Sequence, residues 1–338
     1  MSNPILESNP LQIAGRAVGQ VGQAVGQVGQ AVGQVLSPLG KFNLALAESC
    51  LTPDALPPGA QDPFAETAAT MRRPPPGTNP VVLIHGTWAN RYNTFKTLSP
   101  ELSSAGFSVF ALNYGESDGT LPKVIKGYGD IRTSAKELAR FVDEVLHKTG
   151  AHKVDLVGHS QGGGIMPRWY LKYEGGSDKV DKLIGLAPSN HGTTLFGMQT
   201  LCNVIMKPLC IQGIVEEGVD ICAGKAALQQ SLHAAADALH PQLDEDGDTF
   251  PGISYVVVAT RHDQTITPYT QCALKGAPRH KVVNLVIQEL RAFKLDLTDH
   301  VGIANHPVTW EVVKRALGGK PIDVKTLDGL RIATTMTP

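Results

Sequence analysis

The stretch Gly158-His159-Ser160-Gln161-Gly162 places a serine between glycines two residues to either side. A serine hydroxyl is a weak nucleophile at neutral pH. It attacks a carbonyl only when a neighbouring base takes its proton and a third group orients that base. The flanking glycines have a steric reason. A serine lifted clear of a sheet must sit on a strained turn, where side chains two residues away would collide. The serine follows the strand-like "KVDLVGH" (153–159) and precedes a helical stretch at 162–174, the strand–turn–helix context this chemistry requires. Gly163 and Gly164 let that helix approach the sheet, and its N-terminus favours negative charge developing near Ser160.

Where the serine sits on such a strand–turn–helix in an α/β fold, the order along the chain is Ser, then Asp or Glu, then His. Of eleven histidines, His191 precedes every suitable acid and His262 adjoins one. His233, His240 and His280 fall in an irregular stretch or before a strand. That leaves "DHVGIANH" (299–306). His306 precedes Pro307 at the entrance to a helix, where a structural role suffices for it. His300 lies in the loop between the last strand and the last helix and is the favoured base. Asp263 follows a strand at its carboxyl end, where catalytic groups gather in open α/β sheets. Its bland alternative is a turn-forming aspartate. Asp296 and Asp299 are rivals, although Asp299 adjoins the histidine and would face its ring poorly. Donors for a developing oxyanion, each contributing about 3–4 kcal/mol when well aimed, are expected from two backbone N–H groups. One is Gln161, directly after the serine. The other is Thr87 in "HGTW" (85–88), where Gly86 lets the loop turn inward.

The elements that must position these residues are legible as short apolar runs. They are "VVLIH" (81–85), "SVFALNY" (108–114), "KVDLVGH" (153–159), "KVDKLIGLA" (179–187), "SYVVVAT" (254–260) and "KVVNLVIQ" (281–288). Between them, Ile131, Ala135, Leu138, Val142 and Val145 mark one face of a helix with Asp130 as N-cap and Gly150 as stop. A last helix is expected from Pro307 to Leu317. Strands buried on both faces and alternating with helices predict an α/β fold around a mostly parallel sheet. Residues 195–250 interrupt the rhythm, with an apolar stretch of no clean period that reads as a cap, a lid or core filling.

The chain has 338 residues, is 42% apolar and carries a formal net charge of -1. That supports a sizeable core and argues against a nucleic-acid partner. No run of about 18 apolar residues predicts a transmembrane helix. Residues 1–40 hold a seven-residue Val/Gly/Gln repeat (17–36). Its valines form one stripe if helical, but its glycines each cost about 1 kcal/mol there. It reads either as a frayed arm or, over 11–39, as a segment for a lipid surface or self-association. Residues 41–79 are proline-dense and read as a linker. Residues 80–318 are the main domain and 319–338 a tail. "MSNPILESNP" lacks a basic n-region and no compact apolar run follows, so no export signal is expected. Cys50, Cys202, Cys210, Cys222 and Cys272 form no CxxC pair, which disfavours a zinc knuckle. Local pairing among the middle three and isolated thiols both remain open. "LDEDGD" (243–248) places Tyr255 where a calcium loop needs glutamate, so a solvated turn is expected.

With these residues placed, "PVVLIHGTW", "FALNYG", "VGHSQGG", "APSNHGTTL", "GDTFPGISYVVVATRHDQTITPYT" and "LTDHVGI" together resemble α/β-hydrolase lipases. More narrowly they resemble the bacterial secreted triacylglycerol lipases of class 2, and more distantly lipase B. The resemblance covers about residues 80–318. It implies the α/β-hydrolase fold, with helices on both faces of the sheet and a cap-like insertion over 195–250. It also implies hydrolysis of lipid or other acyl esters without a metal or organic cofactor. The family's nucleophile falls on Ser160, its acid on Asp263, its base on His300 and its oxyanion donors on Thr87 and Gln161. An extracellular or envelope location is what the resemblance implies, whereas the N-terminal sequence leaves a cytoplasmic one open.

Overall fold

In a computed structural model of the chain, residues 54–116, 126–191, 248–276 and 280–328 are described here. The valine–glycine arm, four of the five cysteines and nearly all of the 195–250 insertion lie outside these residues. The described strands are β1 (Ala60–Gln61), β2 (Val81–Ile84), β3 (Val109–Leu112), β4 (Val154–His159), β5 (Val180–Leu186), β6 (Ser254–Ala259) and β7 (Lys281–Val286). They form one sheet in the order β1-β3-β2-β4-β5-β6-β7, with every pairing parallel. The strands run as near-continuous apolar stretches because both faces of the sheet are covered.

Side-chain alternation divides each strand between two cores. Val82, Ile84, Phe110 and Leu156 pack under α3 (Ile131–Thr149) and α4 (Ile165–Tyr173). Val81, Leu83, Val109 and Val157 face α1 (Arg91–Phe95), α2 (Leu98–Ser104) and α5 (Pro307–Leu317). The helix α3 begins and ends where its sequence says. The Asp130 carboxylate accepts from the N–H groups of Arg132 and Thr133, and Gly150 closes the helix at φ 71°.

Two segments differ from the sequence reading. Prolines at 53–80 suggested a linker, yet Ala60–Gln61 pairs with Val109–Phe110 as an edge strand and Met71 is buried in the core. Proline excludes a residue from the interior of a sheet but is tolerated beside a two-residue edge strand. Likewise the start of the C-terminal tail forms α6 (Val324–Asp328), which buries Leu327 in the second core. The helix after Ser160 also starts later than expected. Residues Ser160–Gly163 form a 3₁₀ turn, and α4 begins at Ile165.

That turn is where the fold is tightest. A Cβ on Gly158 would fall inside contact distance of the Gly162 carbonyl, and one on Gly162 would strike the carbonyl of His85. Backbone cannot yield as a flexible side chain can. Gly162→Ala should therefore destabilise the fold by at least about 3 kcal/mol, whereas removing the exposed helix cap with Asp130→Ala should cost about 1 kcal/mol. Urea denaturation followed by circular dichroism would measure both, and equal losses would contradict this account of the turn.

Candidate active site

The carboxyl ends of β2, β4, β6 and β7 meet along one edge of the sheet, as the all-parallel pairing dictates. Ser160 stands directly after β4 with φ 54°, in the left-handed region that a non-glycine residue rarely adopts. Its Cβ lies so near the loop after β2 that a side chain on Gly86 would come within 2.9 Å of it. The serine is buried, as are Asp263 and His300.

Asp263 follows β6 and is held on both carboxylate oxygens. One accepts the N–H groups of Thr265 (2.9 Å) and Ile266 (2.7 Å); the other faces Nδ1 of His300 at 2.9 Å. A carboxylate here can only accept, so Nδ1 of His300 carries the proton and Nε2 is left as a basic lone pair. Among the described residues Nε2 makes no hydrogen bond, and none joins the ring to the Ser160 hydroxyl. The two residues meet through His159. Its Nε2–H donates to the His300 carbonyl at 2.7 Å, and the two rings lie 4.8 Å apart. Side-chain bonds also tie the loops that carry the acid and the base. The Thr260 hydroxyl donates to the Thr298 carbonyl at 2.5 Å, and Gln288 Nε2 donates to Thr260 Oγ1 at 2.9 Å and to the Asp296 carbonyl at 3.1 Å.

The rival residues are committed elsewhere. His306 caps α5: its Nδ1 accepts from the Val308 N–H at 3.3 Å, and its Nε2–H donates to Asp296 at 3.1 Å. Both nitrogens are used, so neither offers a lone pair to a serine. This second Asp–His pair lay unseen in the sequence. Asp299 accepts from the N–H of Gly302 at 2.7 Å. His262 is exposed, and its backbone bridges to Asp299. His191 faces Asp248 at 2.7 Å through Nε2 and the Gln271 carbonyl at 3.2 Å through Nδ1. Asp248, the last residue of "LDEDGD", is thus part of a buried polar cluster with Arg168, at 3.3 Å, while residues 243–247, expected as a solvated turn, lie outside the described residues. The lone described cysteine, Cys272, is buried and unpaired.

Thr87 and Gln161 are brought together. Nε2 of Gln161 donates to Thr87 Oγ1 at 3.1 Å. His85 lies beneath them, fully buried, with its Nδ1–H on the Gly86 carbonyl at 2.8 Å. Sequence reasoning missed the contacts of His159, His85 and Tyr114. All three stand inside the quoted motifs, but nothing in their spacing says what their rings touch.

Residues 79–201 match the family model described as alpha/beta hydrolase fold. The chain has the α/β-hydrolase fold. Among known structures, lipase B of Aspergillus fumigatus superposes with a TM-score of 0.57 at 17% identity, over 80% of this chain and 60% of that one. This chain therefore spans only about three fifths of that lipase. The mature lipase BlEst2 of Bacillus licheniformis gives a TM-score of 0.47 at 17% identity, over 73% of this chain and 95% of its own. The naproxen esterase of Bacillus subtilis gives 0.39 at 14%, over 72% and 85%. At 17% identity the likeness to lipase B is one of fold alone. It agrees with the parallel sheet and with the strand–turn–helix around Ser160.

Burial lowers the pKa of His159 from its ordinary 6.5 to about 3, and that of His85 to about 4. Both rings are neutral in the folded chain at pH 7. Below pH 6.5 the unfolded chain takes up these protons first, so the stability they support is complete above pH 6.5 and is lost as pH falls towards 4. Each ring contributes at most about 1.4 kcal/mol per pH unit in that window. His159→Gln keeps an N–H donor but removes one titration. Urea denaturation between pH 7 and 4.5 should give a shallower loss of stability for this variant than for the parent. Parallel pH profiles would contradict a neutral, buried His159.

Proposed function

We propose that this chain is a serine-dependent carboxylic ester hydrolase, and within that class a triacylglycerol lipase. The observation that carries the reading is the His300 ring, with Nδ1–H fixed on Asp263, Nε2 without a partner among the described residues, and its centroid 4.8 Å from that of His159, the residue before the strained Ser160. In this reading Ser160 Oγ attacks the ester carbonyl carbon while His300 Nε2 takes its proton. The serine–imidazole hydrogen bond closes as substrate enters, since such bonds are often long in the free enzyme. The carbonyl oxygen gains the charge and is held by the N–H groups of Thr87 and Gln161. The imidazolium, steadied by Asp263, returns the proton to the leaving alkoxide, which departs as the alcohol. Water then gives a proton to the same nitrogen and attacks the acyl-serine. Collapse releases the acid and restores the Ser160 hydroxyl.

The choice of lipase rests on the sequence resemblance and on the apolar composition of residues 195–222, which would suit an acyl chain bound by burial of its methylenes. Emulsified long-chain triacylglycerol should be cleaved. Turnover of short soluble esters alone would make the chain a carboxylesterase, and transfer to an added alcohol in place of water would make it an acyltransferase. A serine-directed phosphonate should modify the peptide containing Ser160. Ser160→Ala, His300→Gln and Asp263→Asn should each lower kcat by at least about 10³-fold. Retained turnover in Ser160→Ala, or labelling at another serine, would refute the assignment.

A further inference from the structure

The two oxyanion donors proposed above come from separate pieces of backbone. Thr87 lies on the loop after β2, and Gln161 on the first turn after β4. Parallel pairing fixes β2 beside β4 only up to Ile84 and Gly158. Beyond those residues no strand pairing sets the distance between the N–H groups of 87 and 161. Both groups must converge on one oxygen to within a few tenths of an ångström to act together.

A chain of side-chain bonds spans that gap. Tyr114, two residues past the end of β3, turns its hydroxyl into the core, where it donates to the His85 carbonyl at 2.8 Å and faces Gln161 Oε1 at 3.1 Å. Gln161 Nε2 reaches Thr87 Oγ1 at 3.1 Å. Tyr114 stacks on His85 with ring centroids 4.5 Å apart and planes 19° from parallel. Tyr114 and Gln161 are buried, and burial holds the phenol well above its ordinary pKa, so it keeps its proton. The hydroxyls at both ends can donate or accept. With the Gln161 amide turned over, Nε2–H donates to the phenol oxygen and the Thr87 hydroxyl donates to Oε1, so the single phenol proton stays on the His85 carbonyl and both links form. The chain crosses the ends of three adjacent strands, β3, β2 and β4.

We infer that Tyr114 and the side chain of Gln161 are positioning residues, which with the Thr87 hydroxyl form a cross-link that holds the two oxyanion donors in register. The inference rests on the ester-hydrolase reading. It adds to that reading a role for the Gln161 side chain distinct from that of its backbone N–H. Loss of the link would leave the ground-state ester bound as before and weaken the interaction with the developing oxyanion. The cost then falls on kcat and leaves KM in place.

The test uses the full chain with p-nitrophenyl butyrate, active serine counted by phosphonate titration, and thermal unfolding as the control for structure. Gln161→Met and Tyr114→Phe should lower kcat about 10- to 100-fold, with KM within about twofold. Thr87→Val should do the same, and Thr87→Ser, which keeps the hydroxyl, should restore the rate. Because the link breaks at either end, Gln161→Met combined with Thr87→Val should be no slower than the slower single variant. Losses that multiply in the double variant would overturn the cross-link. So would unchanged kcat in Tyr114→Phe and Gln161→Met with only the unfolding midpoint lowered. Should Tyr114→Phe fail to fold, the Gln161 and Thr87 cycle decides alone. A parent chain that titrates with phosphonate yet shows independent losses refutes the cross-link only. A parent that neither titrates nor turns over refutes the ester-hydrolase reading and the cross-link with it.

Discussion

Backbone packs directly against backbone where β4 ends. Gly158, Gly162 and Gly163 approach the carbonyls of one another and of Ile84 and His85 so closely that no side chain fits at any of them. That contact forces the chain to reverse within a few residues and holds Ser160 at a positive φ, a conformation costing roughly 1–3 kcal/mol. The cost is offset by the apolar strands on either side, whose buried side chains fill two cores. Everything at the candidate site is measured from this turn. It sets the height of the serine and the direction of the Gln161 N–H. It also sets the distance to the loop after β2.

Around the turn, hydrogen-bond commitment sorts the histidines into roles. Each ring has two nitrogens, and what a ring can do depends on which of them is already engaged. At His306 both are used by Val308 and Asp296, and at His191 both face acceptors. His159 and His85 each give one N–H to a backbone carbonyl and are held neutral by burial. Among the described residues, only at His300 does a carboxylate fix the proton on one nitrogen while the other makes no hydrogen bond, on a ring packed against His159, the neighbour of the strained serine. The same amino acid thus serves as a helix cap, a core spacer and a proposed base. The second Asp–His pair shows that adjacency of an acid and an imidazole is not enough. The lone pair must also be left over.

Much of this was legible in the sequence because its causes are local. Apolar runs of five to nine residues between helical stretches dictate a parallel sheet covered on both faces. Asp130 and Gly150 bound their helix through bonds that span a single turn. Glycines at 158 and 162 mark a tight turn whatever surrounds it. The order of Ser160, Asp263 and His300 follows from where strands end. Other features were illegible for an equally physical reason. The proline-dense segment around Ala60–Gln61 becomes an edge strand only because Val109–Phe110 offers it hydrogen-bond partners from 49 residues away. Pattern within the segment carries no trace of that partner.

By itself, then, the sequence determined the sheet, the turn and the types of residue placed at strand ends, since each depends on neighbours within a few positions. Tertiary structure alone decided which imidazole nitrogens are occupied and which carboxylate each ring meets. It alone joined Tyr114, Gln161 and Thr87 into one hydrogen-bonded chain. A hydrogen bond is formed or lost over a few tenths of an ångström, between groups that the sequence separates by tens of residues.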